Sequence, residues 1–304
     1  MEIKRQNINT DKKIIVLYHA NCPDGLASAW VAKKRFGDSA EYVSIKRGEG
    51  FPNILNINGE NISYANLKEI EIYVMDFSFI KEEIKDAESK FKKIVIIDHH
   101  ISSKEEVESA HEHVFDLDHS GCFLTWQYFY PNSDVPLLLQ YISEGDIYKY
   151  RLPNHEKYMP AIYGREQTFE NIDILNNLMN SVEGREKLAE QSELLQQYEN
   201  KILAPALDSI HWVEFEGMTI PAVNVCLPID ERSDLLRRVY DIHPPVALSY
   251  RWDGGEWKCS LRSNGQFDCT TIATKYGGGG HAGAAGFAVP GDMPLPFVKV
   301  VMGV

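Results

Sequence analysis

The sequence predicts an α/β protein with a mostly parallel sheet in its N-terminal part and a second, smaller α/β domain at its C-terminus. In the first part, short β-branched apolar runs at 14–18, 71–75 and 94–97 alternate with helical stretches, which is typical of a parallel α/β sheet. Residues 166–203 are rich in Glu, Gln, Asn and Leu, which predicts helices. From residue 213 onward the pattern changes to short strand-like runs.

Turn formers and apolar runs define the individual elements. Strand 14–18 is followed by a turn and a helix over 26–36, which Gly37 ends, and strand 71–75 is followed by a helix over 79–91. After strand 94–97, further helices are predicted at 122–130 and 136–142. Pro205 is expected to end the helical region.

The change of texture near residue 205 predicts two domains, 1–205 and 206–304, which suits a length of 304 residues. The strand-like runs of the second domain are predicted at 218–225, 245–252, 256–263 and 286–290.

Composition excludes several classes of protein. The net charge of −13 and the lack of a dense basic stretch argue against a protein that grips long duplex nucleic acid. No signal peptide and no bilayer-length apolar run are evident, and five scattered cysteines suit a reducing compartment, so a cytoplasmic protein without membrane contact is expected. A homodimer is among the assemblies that the sequence allows.

Acidic and histidine side chains follow the predicted strands. Because the carboxyl ends of parallel strands meet at one edge of a sheet, we expect these side chains to converge. A single Asp after a strand is more often a helix cap, but several together favour a metal site with mixed nitrogen and oxygen ligands, which suits manganese or a similar divalent ion. The converging residues are His19, Asp24, Asp76, Asp98, His99 and His100, with Asp146 after a fourth apolar segment.

Five segments carry a family resemblance, and they occur in order along nearly the whole chain. The sequence resembles the DHH phosphoesterases, a family of single-strand exonucleases, nanoRNA-degrading enzymes, cyclic dinucleotide hydrolases and type II inorganic pyrophosphatases. The last segment resembles the glycine-rich signature of the associated C-terminal DHHA1 domain. The segments are YHANCPDGLASAW (18–30), VMDFS (74–78), IIDHH (96–100), SEGDIY (143–148) and GGGGHAGAAGF (277–287).

The resemblance implies a catalytic DHH domain over 1–205 and a substrate-binding DHHA1 domain over 206–304. It implies two divalent metal ions, Mn²⁺ or else Mg²⁺ or another divalent metal, with Asp76 bridging them. His100 would face the phosphate or the leaving group, and Asp98 would orient His99 from behind. The implied metal ligands are His19, Asp24, Asp76, His99 and Asp146.

One motif departs from the family pattern. Other members carry a further carboxylate in the first segment, where this chain has Leu26 in one alignment and Asn21 or Cys22 in the other. One carboxylate is therefore missing, and Asn21 or a water is an alternative ligand. The number of metals stays open.

The C-terminal motif is expected to bind substrate. It contains G-x-G-x-x-G, but too little chain follows for a dinucleotide-binding βαβ unit, so we favour glycines that let backbone N–H groups approach an anion. The resemblance implies that Arg262 faces the substrate, and the alternative is that it is an ordinary surface arginine. The expected substrate-binding residues are Arg262, Asn264, Gly278, Gly279, Gly280 and His281.

The resemblance, together with the predicted metal site, implies a metal-dependent phosphohydrolase. The expected substrate is a phosphodiester or phosphomonoester in a short nucleotide, namely a short oligonucleotide, as for an exonuclease, or a bisphosphorylated adenosine. The alternatives are an exopolyphosphatase or pyrophosphatase, which the scarcity of Lys and Arg near the motif disfavours, and a non-catalytic nucleotide- or metal-binding regulator.

Overall fold

The chain divides into two compact units, Met1–Ser192 and Glu193–Val304, in a computed structural model. The structure describes residues 5–227 and 229–300, and for 229–234 it describes the backbone alone. The predicted boundary at 205 and the assignment of a role to each domain stay predictions.

The first unit alternates strands and helices. Its strands are β1 (Arg5–Asn9), β2 (Ile14–His19), β3 (Ala40–Ile45), β4 (Gly50–Leu55), β5 (Glu71–Met75), β6 (Lys93–Asp98) and β7 (Glu112–Phe115). Its helices are α1 (Pro23–Phe36), α2 (Tyr64–Leu67), α3 (Lys81–Lys90), α4 (Lys104–Val107), α5 (Gly121–Phe129), α6 (Leu137–Asp146), α7 (His155–Tyr163) and α8 (Phe169–Met179). Helix α9 (Val182–Asp208) follows.

Within the described residues, the main sheet of this unit has five strands in the order β3-β2-β5-β6-β7, and every neighbouring pair is parallel. The prediction of a mostly parallel sheet is confirmed. The chain leaves β2 for the edge strand β3 and then returns to β5 on the other side of β2. A crevice forms at such a switch point, beyond the carboxyl ends of the two central strands.

The central strands are apolar on both faces. Ile15 and Leu17 pack into one buried cluster with residues of β5 and β6, whereas Val16 between them packs into a second cluster on the opposite face. Side chains alternate across a strand, so a continuous apolar run buries both faces, as a parallel sheet covered by helices requires. This burial fixes the register that aligns the strand ends.

Helix α1 packs directly against the end of β2. It begins at Pro23, three residues before the predicted start, and Pro suits the first turn, where its missing N–H is not needed. A Cβ atom on Gly25 would lie 2.3 Å from the carbonyl oxygen of His19, so only glycine allows this approach. The close contact brings Asp24, in the first turn of α1, to the edge of the sheet.

The second unit is built on one mixed sheet. Its elements are β8 (His211–Phe215), β9 (Met218–Asn224), α10 (Ile229–Ile242), β10 (Val246–Trp252), β11 (Glu256–Ser263), α11 (Thr270–Ala273), β12 (Gly279–His281), β13 (Ala284–Pro290) and β14 (Val298–Val300). Over the part of the chain that the structure describes, seven strands run in the order β12-β13-β11-β10-β9-β8-β14, and the β9–β10 pair is parallel. The predicted strand-like runs all form strands, and Leu261, Ala285 and Phe287 lie in the core on one face.

The expectation that Pro205 ends the helical region is wrong. Helix α9 continues through Pro205 to Asp208. Proline removes one backbone hydrogen bond inside a helix but can be accommodated by a local bend, so a single proline does not always end one. Among the described residues, no helix is both long and apolar enough to cross a bilayer.

Two neighbouring glycines of the C-terminal motif make a matched test of its packing. A Cβ on Gly278 would lie 2.1 Å from the carbonyl oxygen of Gly286 and 2.7 Å from Cβ of Phe287, whereas a Cβ on Gly279 would have no atom within 4 Å. We expect Gly278→Ala to lower the free energy of unfolding by about 1–3 kcal/mol. Gly279→Ala is expected to change it by less than about 0.5 kcal/mol. Urea unfolding followed by circular dichroism measures both, and equal effects would contradict the packing described.

Candidate metal centre

Three neighbouring strands deliver polar side chains to one edge of the first sheet. Tyr18 of β2 pairs with Met75 of β5, and Met75 pairs with Ile97 of β6. The next residue on each strand is polar: these residues are His19, Asp76 and Asp98. The parallel register therefore produces the predicted convergence.

Asp76 occupies the middle of this edge. It is fully buried and adopts a left-handed backbone conformation, with φ 65°. Its Oδ2 lies 3.3 Å from Nδ1 of His19, and its Oδ1 lies 3.2 Å from Nε2 of His99. Within the described residues, Oδ1 accepts no hydrogen bond although it is buried. Each oxygen of one carboxylate thus faces a different histidine.

A group on the Oδ1 side consists of Asp24, His99 and Asp146. Nε2 of His99 lies 3.2 Å from Oδ2 of Asp146 and 3.8 Å from Oδ2 of Asp24. Asp146 is the last residue of α6, a helix C-terminus, where the helix dipole disfavours a negative charge. Its Oδ2 is buried and accepts no hydrogen bond among the residues described. A cation would satisfy this oxygen.

Asp24 is held by the N-terminus of α5. Its Oδ1 accepts hydrogen bonds from Oγ of Ser120 at 2.6 Å and the amide of Cys122 at 2.9 Å, and its Oδ2 accepts one from the amide of Gly121 at 2.7 Å. A carboxylate oxygen has a second lone pair, so Oδ2 can still face a metal. A Cβ on Gly121 would lie 2.8 Å from Cβ of Asp76, so a side chain there would displace the site.

A group on the Oδ2 side consists of His19, Cys22 and Asp76, whose ligand atoms lie within 4.8 Å of one another. Cys22 is half-buried at the start of α1, whereas Asn21 is exposed with φ 55°. Leu26, the other position of the missing carboxylate, packs in an apolar cluster. The sequence suggested no role for Cys22. Its position in the first motif was the available signal.

Asp98 positions both histidines of the third motif. Its Oδ1 accepts hydrogen bonds from the amides of His99 and His100 at 2.8 and 3.3 Å, and it lies 2.7 Å from Nδ1 of His100. His100 is also within 4.0 Å of Oδ1 of Asp76. The imidazole of His100 is therefore fixed beside the cluster. The role of Asp98 toward the ring of His99 stays a prediction.

Electrostatic strain accompanies this arrangement. Burial raises the pKa of Asp24 to about 6, and repulsion from Asp76 adds to the shift. Burial and repulsion from Asp24 raise the pKa of Asp146 well above its usual range. Burial disfavours the charged form of His99, but the carboxylates of Asp76 and Asp146 outweigh it and raise the pKa of the imidazole to about 10.

The pKa of Asp76 is lowered, whereas the pKa of Cys22 is raised. Burial disfavours ionisation of Asp76, yet the imidazoles of His19 and His99 hold its pKa well below the usual range. Burial, followed by the charges of Asp76, Asp146 and Asp24, raises the pKa of the Cys22 thiol well above its usual range.

The residues fit a divalent metal. Several carboxylates are buried together beside imidazoles, and one oxygen each of Asp76, Asp98 and Asp146 accepts no hydrogen bond within the described chain. A buried acidic cluster of this kind needs positive charge, and imidazole with carboxylate is a ligand set typical of divalent transition metals. All five predicted ligands lie at this cluster.

The predicted substrate-binding residues lie in the second unit. Arg262 of β11 and His281 of β12 both pair with Ala284 of β13, which lies between them. Paired residues share a face of a sheet, so both point to the same side, two strand spacings or roughly 10 Å apart. Asn264 is exposed, and its Oδ1 accepts a hydrogen bond from the amide of Gln266.

The glycines of this motif have distinct structural roles. Gly280 has φ 143°, and a Cβ there would lie 2.4 Å from the carbonyl oxygen of Ala284. Gly278 is equally restricted, whereas Gly279 is exposed and has open space around it. Two of the three glycines are thus required for close backbone packing, and their contact with substrate stays a prediction.

Comparisons with known proteins extend this description. The family model of the DHHA1 domain matches residues 234–298, which lie in the second unit. The fold resembles the solved DHH domain of a protein described as a member of a family of ribosomal proteins (TM-score 0.51, 14% identity, 92% of this chain and 83% of that chain). The chain thus carries a match to the DHHA1 domain over residues 234–298 and shares the fold of a solved DHH domain.

Two further proteins are similar to this chain. An exopolyphosphatase-related protein from Bacteroides fragilis has a TM-score of 0.55 at 14% identity, over 93% of this chain and 88% of that one. An uncharacterized protein of Acanthamoeba polyphaga mimivirus is 26% identical over 98% of this chain and 72% of its own length. At these identities the likeness of this chain to the solved proteins is one of fold.

The pKa shifts predict how metal affinity depends on pH. A bound imidazole must be neutral, so the metal must displace a proton from His99 at any pH below about 10, and one from Asp24 below about 6. We expect metal affinity to rise with pH and binding to release protons. Isothermal titration calorimetry in buffers of different ionisation enthalpy measures the release. His99→Gln should reduce it and His111→Gln, at an exposed histidine, should not.

The metal-free protein should show the opposite trend in stability. The folded pKa of His99 lies above its ordinary 6.5, so its stabilising contribution is complete below pH 6.5 and is lost as the pH rises toward about 10. Thermal melts with chelator and with metal across this range measure both trends. Metal affinity that does not vary with pH would contradict the assignment of His99.

Proposed function

We propose that this protein is a phosphoesterase of the DHH type that requires divalent metal and hydrolyses phosphodiester or phosphomonoester bonds in short nucleotides. Short oligonucleotides and bisphosphorylated adenosine are the substrates proposed. The proposed ions are Mn²⁺ or, less specifically, Mg²⁺ or another divalent metal, bound as a pair.

The arrangement of Asp76 carries this proposal. One of its oxygens faces His19 and the other faces His99, so a single carboxylate separates two potential metal positions. A carboxylate with two oxygens is suited to bridge a metal pair, and such pairs occur in phosphatases and nucleases. The buried oxygens of Asp76 and Asp146 that accept no hydrogen bond in the described chain support the same assignment.

Different residues of the chain would bind the metals and contact the substrate. When bound, the metals supply positive charge beside the phosphate and a water of lowered pKa. His19, Asp24, Asp76, His99 and Asp146 would hold them. His100, whose Nδ1 lies 2.7 Å from Oδ1 of Asp98, would donate a hydrogen bond to a phosphate oxygen or a proton to the leaving group.

The DHHA1 domain would bind the rest of the substrate. Arg262 and His281 lie on one face of the sheet on either side of the small residue Ala284, with which both pair. The guanidinium of Arg262 and a ring N–H of His281 could each donate a hydrogen bond to an ionised phosphate. A net charge of −13 is unfavourable for long anionic chains, which supports a short substrate.

The first experiment tests the metal-dependent chemistry. Asn tolerates the left-handed conformation of residue 76, so Asp76→Asn removes the charge with little change of backbone. We expect metal-dependent hydrolysis of bis-p-nitrophenyl phosphate to fall more than about 100-fold, since loss of even an outer-shell partner costs about 10–100-fold. Asp86→Asn, at an exposed acid on α3, is the control and should leave the rate unchanged.

The outcome separates the alternatives. Hydrolysis of dinucleotides in preference to longer oligomers supports the proposal, and preference for polyphosphate or pyrophosphate favours a phosphoanhydride hydrolase. Metal or nucleotide binding without turnover of any substrate favours a regulator. An Asp76→Asn variant that retains the parent rate would contradict the proposed metal chemistry.

A second experiment separates substrate binding from chemistry. Loss of a charge-assisted hydrogen bond to phosphate costs about 1.5–3 kcal/mol, or roughly tenfold to a hundredfold in affinity. Arg262→Ala and His281→Ala should therefore raise KM for the nucleotide by this factor while kcat holds, if the contact is uniform along the reaction. Both should retain metal and hydrolyse the small diester normally.

Arg251→Ala is the matched control. Arg251 lies on the neighbouring strand β10, but its guanidinium forms an ion pair with Asp253 and has no proposed contact with substrate. It should leave KM unchanged. Equal losses on the nucleotide and on the small diester would mean that Arg262 and His281 serve the chemistry or the fold.

A further inference from the structure

The geometry points to Cys22 as a thiolate ligand of one metal position, the one on the Oδ2 side of Asp76 beside His19. We call this the first position and the one beside His99 the second, and a thiolate would make the two chemically unequal. The first would be held by imidazole, thiolate and carboxylate and would select thiophilic ions such as Zn²⁺ or Co²⁺. The second would be held by imidazole and carboxylates. This inference rests on the proposed metal centre and deepens it, since it specifies which class of ion one position takes.

Position supports this role. The potential ligand atoms of His19, Cys22 and Asp76 lie within 4.8 Å of one another. Ligands around a tetrahedral zinc ion lie about 3.3–3.8 Å apart, as bond lengths of about 2.0–2.3 Å require. A closure of about 1 Å therefore suffices to bind an ion.

The backbone holds Cys22 in place from both sides. The amide of Ala20, just before it, donates to the carbonyl oxygen of Ile45, and the carbonyl oxygen of Cys22 accepts from the amide of Leu26 in the first turn of α1. The strand end and the helix start thus fix the backbone at Cys22. Among the described residues, Cys22 is the cysteine that belongs to a metal-ligand cluster.

A second observation points to a ligand at this place. Asp76 is fully buried and offers its Oδ2 on this side, 3.3 Å from Nδ1 of His19, while its Oδ1, on the side of His99, accepts no hydrogen bond within the chain as described. The carboxylate as a whole therefore lacks part of the positive charge that a buried carboxylate requires. The resemblance implies a further carboxylate at the position of Leu26, Asn21 or Cys22; Leu26 packs in an apolar cluster and Asn21 is exposed, whereas Cys22 lies beside His19 and Asp76. Replacing a hard oxygen with a soft sulfur keeps a negative ligand and changes the preferred ion.

Binding of a metal by Cys22 requires only the loss of the thiol proton. The thiol S–H bond breaks, the proton passes to solvent, and the sulfur donates an electron pair to the metal, with no change of oxidation state. Mg²⁺, which prefers oxygen ligands, gains little from sulfur, whereas Co²⁺ and Zn²⁺ gain more.

Optical titration tests this assignment without reference to activity. Co²⁺ added to the metal-free full chain should produce a thiolate-to-cobalt charge-transfer absorption in the near ultraviolet. Cys22→Ser should abolish that band and weaken Co²⁺ binding by roughly 100-fold or more, since removing even an outer-shell partner costs about 10–100-fold. Cys226→Ser, at an exposed cysteine, is the matched control and should keep the band.

A second measurement covers a Cys22→Ser variant that does not fold. The other cysteines apart from Cys226 are buried, so in Cys226→Ser protein a thiol-alkylating reagent should report mainly on half-buried Cys22. Zn²⁺ should protect it from alkylation and Mg²⁺ should not. Cys22→Asp, which restores a carboxylate, should bind Mn²⁺ without a sulfur band.

The outcomes distinguish this inference from the proposed function. A parent protein without the band, an equal band in Cys22→Ser, or equal alkylation with and without Zn²⁺ would overturn the role of Cys22. Turnover of the diester with unchanged metal affinity in Cys22→Ser would overturn it while the proposed function stands. A band that depends on Cys22 together with no turnover of any phosphoester would leave this inference in place and refute the phosphoesterase.

Discussion

Repulsion between buried carboxylates is the constraint on which the rest of the first domain depends. Asp24, Asp76 and Asp146 come from a helix start, a strand end and a helix end, and each would be more stable apart from the others. The fold holds them together by hydrogen bonds from the N-terminus of α5 to Asp24 and by the imidazoles beside Asp76. These contacts offset part of the repulsion and leave a net demand for positive charge, which explains why the centre suits a metal.

Close backbone approach is the second requirement, and glycine meets it in both domains. Gly25 lets α1 reach the end of β2, and Gly121 lets α5 reach Asp24 and Asp76. In the DHHA1 domain, Gly278 and Gly280 let β12 lie against β13, which places His281 in the same row as Arg262. The glycines thus position functional side chains that they do not themselves supply.

Much of this was predictable from the sequence. The central strands β2, β5 and β6 have continuous apolar runs, so both their existence and the convergence of their ends followed from pattern alone. Strands such as β1, whose residues are mostly exposed, carry no such pattern and were missed. The contact between Asp24 and α5 joins residues 97 positions apart, and no local signal reports it. The first motif lacks one carboxylate, but a cysteine in it did not by itself predict that Cys22 lies beside His19 and Asp76.

Asp76 combines its charge with a left-handed backbone, and that conformation costs a non-glycine residue of order 1–3 kcal/mol. If a metal binds here, it stabilises the native state alone, because the unfolded chain does not hold these ligands together. The population of folded chain would then follow the supply of divalent metal. Proteases act on the unfolded fraction, which a shortage of metal would enlarge. Such a shortage would therefore shorten the lifetime of this protein in the cell as well as lower its activity.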